Sequence, residues 1–272
     1  MSAIDGLSWA ALTGEWLDWL RLGGRSDETI GLRRYQAGRL ARAFPEGPAA
    51  VSAAGLASWL AGMRWSAETR RSYCAAARQF FSWAASAGRL AVDPAAGLPA
   101  GRSPSRLPRP APVEAAAAGL GCGDGRVRLM VALAFRQGLR RGEIARVHTR
   151  DVAAGRGGWS LVVRGKGGRE RRIPLWPDIA AELRSLPEGF VFPGQVGGHL
   201  SPAYVGKLVS RALPPGWAAH SLRHAFATGL YDRSRDLLAV QRFLGHVKPE
   251  TTQGYVMVAE DWLRAALAAD QP

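Results

Sequence analysis

The stretch DPAAGLPAGRSPSRLPRPAP, residues 93–112, limits the fold more than any other feature of the 272-residue chain. Each proline fixes φ and lacks an N–H, and glycine is costly to hold in a helix or strand, so neither element runs through this stretch. The chain is thereby cut in two, and each part is long enough to bury a core of its own. The expected organisation is a helical domain over residues 1–98, a basic Pro/Gly linker over 99–112 and a second domain over 113–272.

Ahead of the break, apolar residues recur at helical spacing in SWAALTGEWLDWLRL, DETIGLRRYQAGRLARAF and SAETRRSYCAAARQFFSWAASAG. The last of these has Ser66 as N-cap, Glu68 in its first turn and Gly88 as a stop. Its predicted core stripe is Tyr73, Ala77, Phe80, Phe81 and Ala84. Arg71 and Arg78, seven residues apart, fall on another face, where they either reach a phosphate backbone or are simply solvated. After the break, VEAAAAGL and GRVRLMVALAFRQGL read as helices, with Arg140 placed at the end of the second. WSLVV and RRIPL are strand-like, and GKGG between them reads as a hairpin turn. Helices resume at PDIAAELRSL. The predicted fold class is mainly α, a helical domain followed by a mostly helical one with a small β-hairpin or sheet.

Charge narrows the partner. The net charge is +14 with a pI of about 11.1, and a surface so basic favours polyanions, because neutralising phosphates releases condensed counterions. All but Lys166, Lys207 and Lys248 of the basic residues are arginine, and Arg102, Arg106 and Arg109 lie in the linker with no acid after Asp93. These three, with Arg71 and Arg78, are the DNA-binding candidates. No apolar run is long enough to span a bilayer, and the N-terminus carries acids where a signal peptide carries bases. With only Cys74 and Cys122, neither a disulfide framework nor a cysteine zinc site is expected, which fits a cytoplasmic protein.

The chemistry-bearing residues are scattered. In HSLRHAFAT, His220, Arg223 and His224 share one helix face, so they either satisfy one another in a core or converge on an anion. In GLRRGEI, Glu143 stands three residues after Arg140 and can hold its guanidinium, as it would in any ion pair at that spacing. Lys166 sits at a glycine-flanked hairpin tip, where the backbone can approach a ligand closely. His246 follows a Leu-Gly pair, and Tyr255, read alone, is a packing residue.

Taken in order, GLRRGEI, RGKGGRERRIPL, HSLRHAFAT, LGH and TTQGY resemble the motifs of the tyrosine recombinase (phage integrase) family, especially its Xer-type members, and SAETRRSYCAAARQFFSWA resembles the last helix of that family's core-binding domain. The resemblance implies a SAM-like core DNA-binding domain followed by a catalytic domain. It implies Arg140, Lys166, His220, Arg223, His246 and Tyr255 as the catalytic set, Glu143 as support and His224 as a core histidine. Two arginines would bind the non-bridging oxygens of a scissile phosphate, Tyr255 would attack it, and Lys166 would protonate the leaving 5′-oxygen. No metal and no cofactor are implied. The partner would be double-stranded DNA, bound by a homo-tetramer on two sites, with a second recombinase or accessory protein as a further possible partner. The tail AEDWLRAALAADQP resembles the helix such proteins pass to a neighbouring subunit. Two other readings share these residues: a type IB topoisomerase or telomere resolvase, and a relative that binds DNA without cutting it.

Overall fold

A computed structural model of the protein describes residues 8–100, 109–155, 157–165 and 169–245. The chain forms two compact units, divided between Ser105 and Arg106.

Among the described residues the first unit contains four α-helices: α1 (Trp9–Leu22), α2 (Asp27–Ala43), α3 (Ala53–Gly62) and α4 (Ala67–Ser86). Ser8, Ser52 and Ser66 cap α1, α3 and α4, each accepting the N–H of the residue three further on, and such a cap is worth about 1 kcal/mol. All five residues of the expected α4 stripe are buried, joined by Cys74 and Ala76. Phe80 is the centre of the core. Its ring lies 5.4 Å from Trp9 and 5.2 Å from Trp16, between centroids. Polar ties then fix α2 against α4: Arg33 Nε donates to Gln79 Oε1 at 3.1 Å, and Gln36 Nε2 donates to Ser72 Oγ at 3.0 Å. Arg33 Nη1 also donates to Gln36 Oε1 at 2.8 Å, so this arginine is a structural strut; burial, then the charge of Arg25, lowers its pKa. Helix α3 is apolar almost throughout, which left no periodic signal in the sequence.

The second unit contains α5 (Val113–Leu120), α6 (Gly125–Phe135), α7 (Arg141–Ala145), β1 (Val152–Gly155), β2 (Gly158–Arg164), β3 (Glu170–Pro174), α8 (Pro177–Ser185), β4 (Pro193–Val196), α9 (Pro202–Ala212), α10 (Ala219–Ser234) and α11 (Leu237–Leu244). After the exposed Arg126 and Arg128 of its first turns, helix α6 is apolar all round from Leu129 to Phe135 and lies in the core, as such a stretch must. The sheet has three antiparallel strands in the order β1-β2-β3, with Leu161 opposite both Val152 and Ile173. The expected hairpin is its β2–β3 part. Strand β1 was not anticipated, because VAAG holds one β-branched residue and no clear alternation.

Two sequence expectations change here. Helix α6 stops at Phe135, so Arg140 does not end it; Arg140 is the extended residue that caps α7. The turn between is made at Gly138, whose φ of +61° suits glycine and where a Cβ would run into the Phe226 ring. The last part of the expected linker belongs to the second unit: Ala111 N donates to Ser221 O at 2.9 Å, and the Arg109 guanidinium lies 4.4 Å from the centroid of the Trp217 ring.

Candidate active site

Glu143 is the hub of the site. It occupies the third position of α7, where its Oε2 accepts the Arg140 backbone N–H at 2.8 Å. The reciprocal bond of a capping box is missing because an arginine side chain has no acceptor. Its Oε1 takes Arg140 Nη1 at 2.9 Å. Arg171, from β3, closes on the same carboxylate with two parallel bonds, Nη1 to Oε1 at 2.8 Å and Nη2 to Oε2 at 2.9 Å. Arg223, from α10, brings Nη1 within 3.5 Å of Oε2. One carboxylate thus answers three guanidiniums, an arrangement with a positive surplus that suits a dianionic or anionic ligand.

Exposure separates the three. The Glu143 and Arg223 side chains are 3% and 2% exposed, Arg171 is 13% exposed, and Arg140 is 42% exposed. Arg140 therefore stands at the surface above a buried ionic layer. Arg223 is held from below, Nη1 donating to Gly138 O and Nη2 to Leu244 O at 2.8 Å. Arg140 Nη1 reaches the same Leu244 oxygen at 3.3 Å. The Leu244 carbonyl is an orphan acceptor at the C-terminus of α11, the negative end of its dipole, so cations are favoured there.

Burial raises the Glu143 carboxyl, but the hydrogen bonds and charge of Arg171, the Arg140 N–H and the charge of Arg223 outweigh it and bring its pKa to about 2. Because the folded value is depressed, the stability it contributes is complete above its usual value near 4.5 and is lost as pH falls toward about 2. Glu143→Gln, which keeps the shape and removes the charge, is expected to cost roughly 3–5 kcal/mol at pH 7 by leaving buried cations unanswered. Urea unfolding of the two proteins should give curves that converge below pH 4. A constant gap across that range would mean that the carboxylate charge is not what stabilises the layer.

His220 and His224 lie one turn apart on α10 with ring centroids 4.0 Å apart in a T-shaped contact. Burial, then the charges of Arg223, Arg140 and Arg141, lower the His220 pKa, so its ring lies within the field of the arginines. Burial, then the charges of His220 and Arg223, brings His224 to about 4. Both rings are neutral at pH 7, so His220 offers one donor and one acceptor nitrogen. Among the described residues no three His, Cys, Asp or Glu side chains group as a metal ion would need.

The structure therefore brings together Arg140, Glu143, His220 and Arg223. Lys166, His246 and Tyr255 lie outside the described residues, as do Arg102 and Arg106. The flanks of the first two are described. Gly165 N donates to Arg169 O at 2.7 Å across the base of the β2–β3 hairpin, and Arg164 beneath it bridges Asp151 at 2.7 Å and Glu170 at 3.0 Å. Gly245, next to His246, has φ +64°. Arg171 is the site residue that the sequence reading missed. A signal existed: Arg171 and Ile173 are two apart on a strand and so share a face, and Ile173 is buried.

In the first unit, Arg78 lines a groove of about 870 Å³ with Trp19, Arg25, Arg33, Gln79 and Trp83, and its Nη1 donates to Leu98 O at 3.3 Å. Arg71 is half-buried on the same helix and is not part of that groove.

The family model described as the phage integrase family matches residues 113–261, more than half of the chain. The chain belongs to the phage integrase family. This tyrosine recombinase is 33% identical over 273 residues to the tyrosine recombinase XerC of Methylobacterium nodulans, covering 89% of this chain and 84% of that one. It is 34% identical over 203 residues to the XerC of Methylobacterium sp. strain 4-46, covering 64% and 63%, so this second match spans just under two thirds of the relative's length. Among solved structures, XerH bound to a palindromic difH substrate gives a TM-score of 0.69 at 21% identity, covering 97% of this chain and 85% of that one. A lambda integrase dimer bound to a COC′ core site gives 0.72 at 19%, covering 93% and 78%. At those identities the likeness is one of fold. No described helix of this integrase-family chain is long and apolar enough to cross a membrane.

Proposed function

We propose that this tyrosine recombinase breaks and rejoins double-stranded DNA at specific sites, and that Arg140 and Arg223 cradle the scissile phosphate. One observation carries the reading: both guanidiniums hydrogen-bond a single oxygen, that of Leu244. Two forks that meet at one carbonyl oxygen can meet at a non-bridging phosphate oxygen, and they would gain strength as charge grows there in the transition state. Lysine could not supply that fork geometry.

In this reading the Tyr255 oxygen forms a bond to phosphorus as the bond to the 5′-oxygen breaks. The phenol proton passes to an imidazole, that of His220 or His246, and Lys166 gives a proton to the departing 5′-oxygen. The product is a 3′-phosphotyrosine and a free 5′-hydroxyl. Because the phosphoester bond is conserved, the reverse attack rejoins DNA without an external energy source. Incubation with a duplex nicked next to the cleavage position traps the covalent adduct. If no protein–DNA adduct forms while binding is retained, the chain is a binding-only relative. Plasmid relaxation by the monomer would point to a topoisomerase.

The basic groove of the first unit, with Arg78 and the other arginine candidates Arg71, Arg102, Arg106 and Arg109, fits the DNA backbone. Each phosphate neutralised releases counterions, so affinity is expected to fall by about 10³-fold or more between 50 and 200 mM salt if roughly six phosphates are bound. A flat salt response in a gel-shift titration would rule out these backbone contacts. Assembly as a tetramer on two duplexes is part of the proposal, supported by the solved fold neighbour that is a lambda integrase tetramer bound to a Holliday junction, TM-score 0.70 at 19% identity.

A further inference from the structure

The Glu143 carboxylate has about four lone-pair positions, and four donors fill them: the Arg140 N–H, Arg140 Nη1 and both terminal nitrogens of Arg171. Arg171 supplies half. Its third nitrogen, Nε, donates to the Phe243 carbonyl at 2.8 Å. Each of its three nitrogens therefore donates at least one bond inside the protein, to two elements that frame the site. The contact with α11 is close in another way. At Gly245 a Cβ would come within 3.0 Å of Arg171 Cδ and 3.1 Å of its Nη1, so the arginine packs flat against the residue preceding His246. Glycine is required there twice over, by that packing and by the positive φ.

We infer that Arg171 is a positioning residue of the strand-cleavage reaction: it neutralises Glu143, so that the charge of Arg140 and Arg223 remains free for the phosphate, and it pins the α11 terminus that leads to His246. The inference rests on the phosphate cradle proposed above. Without Arg171, Glu143 would have only Arg140 and Arg223 as counterions, and its negative charge would subtract from theirs at the phosphate. An arginine is needed because a lysine cannot give two parallel bonds and a third to a carbonyl on another element.

The role predicts a dependence on substrate charge. A methylphosphonate at the scissile position replaces one charged non-bridging oxygen with a methyl group, which removes the charge that the arginines answer. Single-turnover cleavage by the full-length protein on ordinary duplex is expected to fall about 10²-fold in Arg171→Ala, the size of effect seen when a reacting group is misplaced by about 1 Å. DNA affinity should stay within about threefold, and on the methylphosphonate duplex the loss should shrink below about tenfold. Arg140→Ala, measured alongside, should also recover on the methylphosphonate. If Arg140→Ala recovers and Arg171→Ala is equally defective on both duplexes, Arg171 is a structural residue only and the inference fails. If Arg140→Ala itself shows equal defects, the cradle reading fails instead. Should Arg171→Ala not fold, Arg171→Lys keeps the charge and loses the fork. It is expected to be slowed by at least about tenfold, with the same relief on the methylphosphonate, and an unimpaired Arg171→Lys would overturn the inference.

Discussion

Tyr255→Phe is expected to bind its DNA site as tightly as the unaltered chain and to form no covalent adduct with a nicked duplex. The substitution removes one oxygen and almost no volume, so it leaves packing and the basic DNA-facing surface as they were. What disappears is the only atom of that side chain able to bond to phosphorus. Loss of a nucleophile in an enzyme that works through a covalent intermediate lowers turnover by about 10⁴-fold or more, with the residual rate set by the electrostatic groups alone. The comparison is best made in one gel, with adduct and bound complex resolved from the same reaction. An adduct that persists in Tyr255→Phe would remove Tyr255 from the mechanism. An affinity that collapses with it would show that the hydroxyl serves binding or folding.

The pieces of this site were legible in the sequence to unequal degrees. Arg140 and Glu143 are three residues apart, and local spacing alone pairs them. His220, Arg223 and His224 were read correctly as one helix face, and the contact of the two imidazole rings follows from their separation by one turn. The long-range partners were not legible. Nothing in GLRRGEI or HSLRHAFAT says that Arg223 rests on Gly138 O and Leu244 O, because a backbone carbonyl leaves no trace in composition. Arg171 was hidden for a different reason: it stands in a run of arginines, RERR, whose charge suggests solvent, and only the two-residue period of β3 tells the half-buried one from its exposed neighbour Arg172. The same limit applies to the fold. Helix α4 announced its core stripe through strict periodicity, while α3 and β1 are short and small-residue-rich, and tertiary contacts define them.

Lys166→Ala should cleave ordinary DNA roughly 10²–10⁴-fold more slowly, the range for loss of a general acid, and should regain most of that loss when sulfur replaces the bridging 5′-oxygen. Arg164 is locked to buried Asp151, and its raised pKa reflects first the hydrogen bond and then the charge of that carboxylate. The Gly165–Arg169 backbone bond closes the base, so the residues on either side of the tip are fixed while the tip itself is free of bulky neighbours in sequence. In the proposed mechanism Lys166 delivers a proton to one atom and takes no part in the phosphate cradle. A 5′-alkoxide is a poor leaving group and needs that proton, whereas a thiol ionises near pH 8.5 and departs as thiolate unaided. Arg140→Ala should gain nothing from the sulfur, because the non-bridging oxygens keep their charge, and should gain from the methylphosphonate instead. The two substrates thus separate the two roles: sulfur rescues the acid, and methylphosphonate rescues the cradle. Equal defects of Lys166→Ala on oxygen and sulfur would take Lys166 out of proton transfer and leave the 5′-oxygen to be protonated by another group.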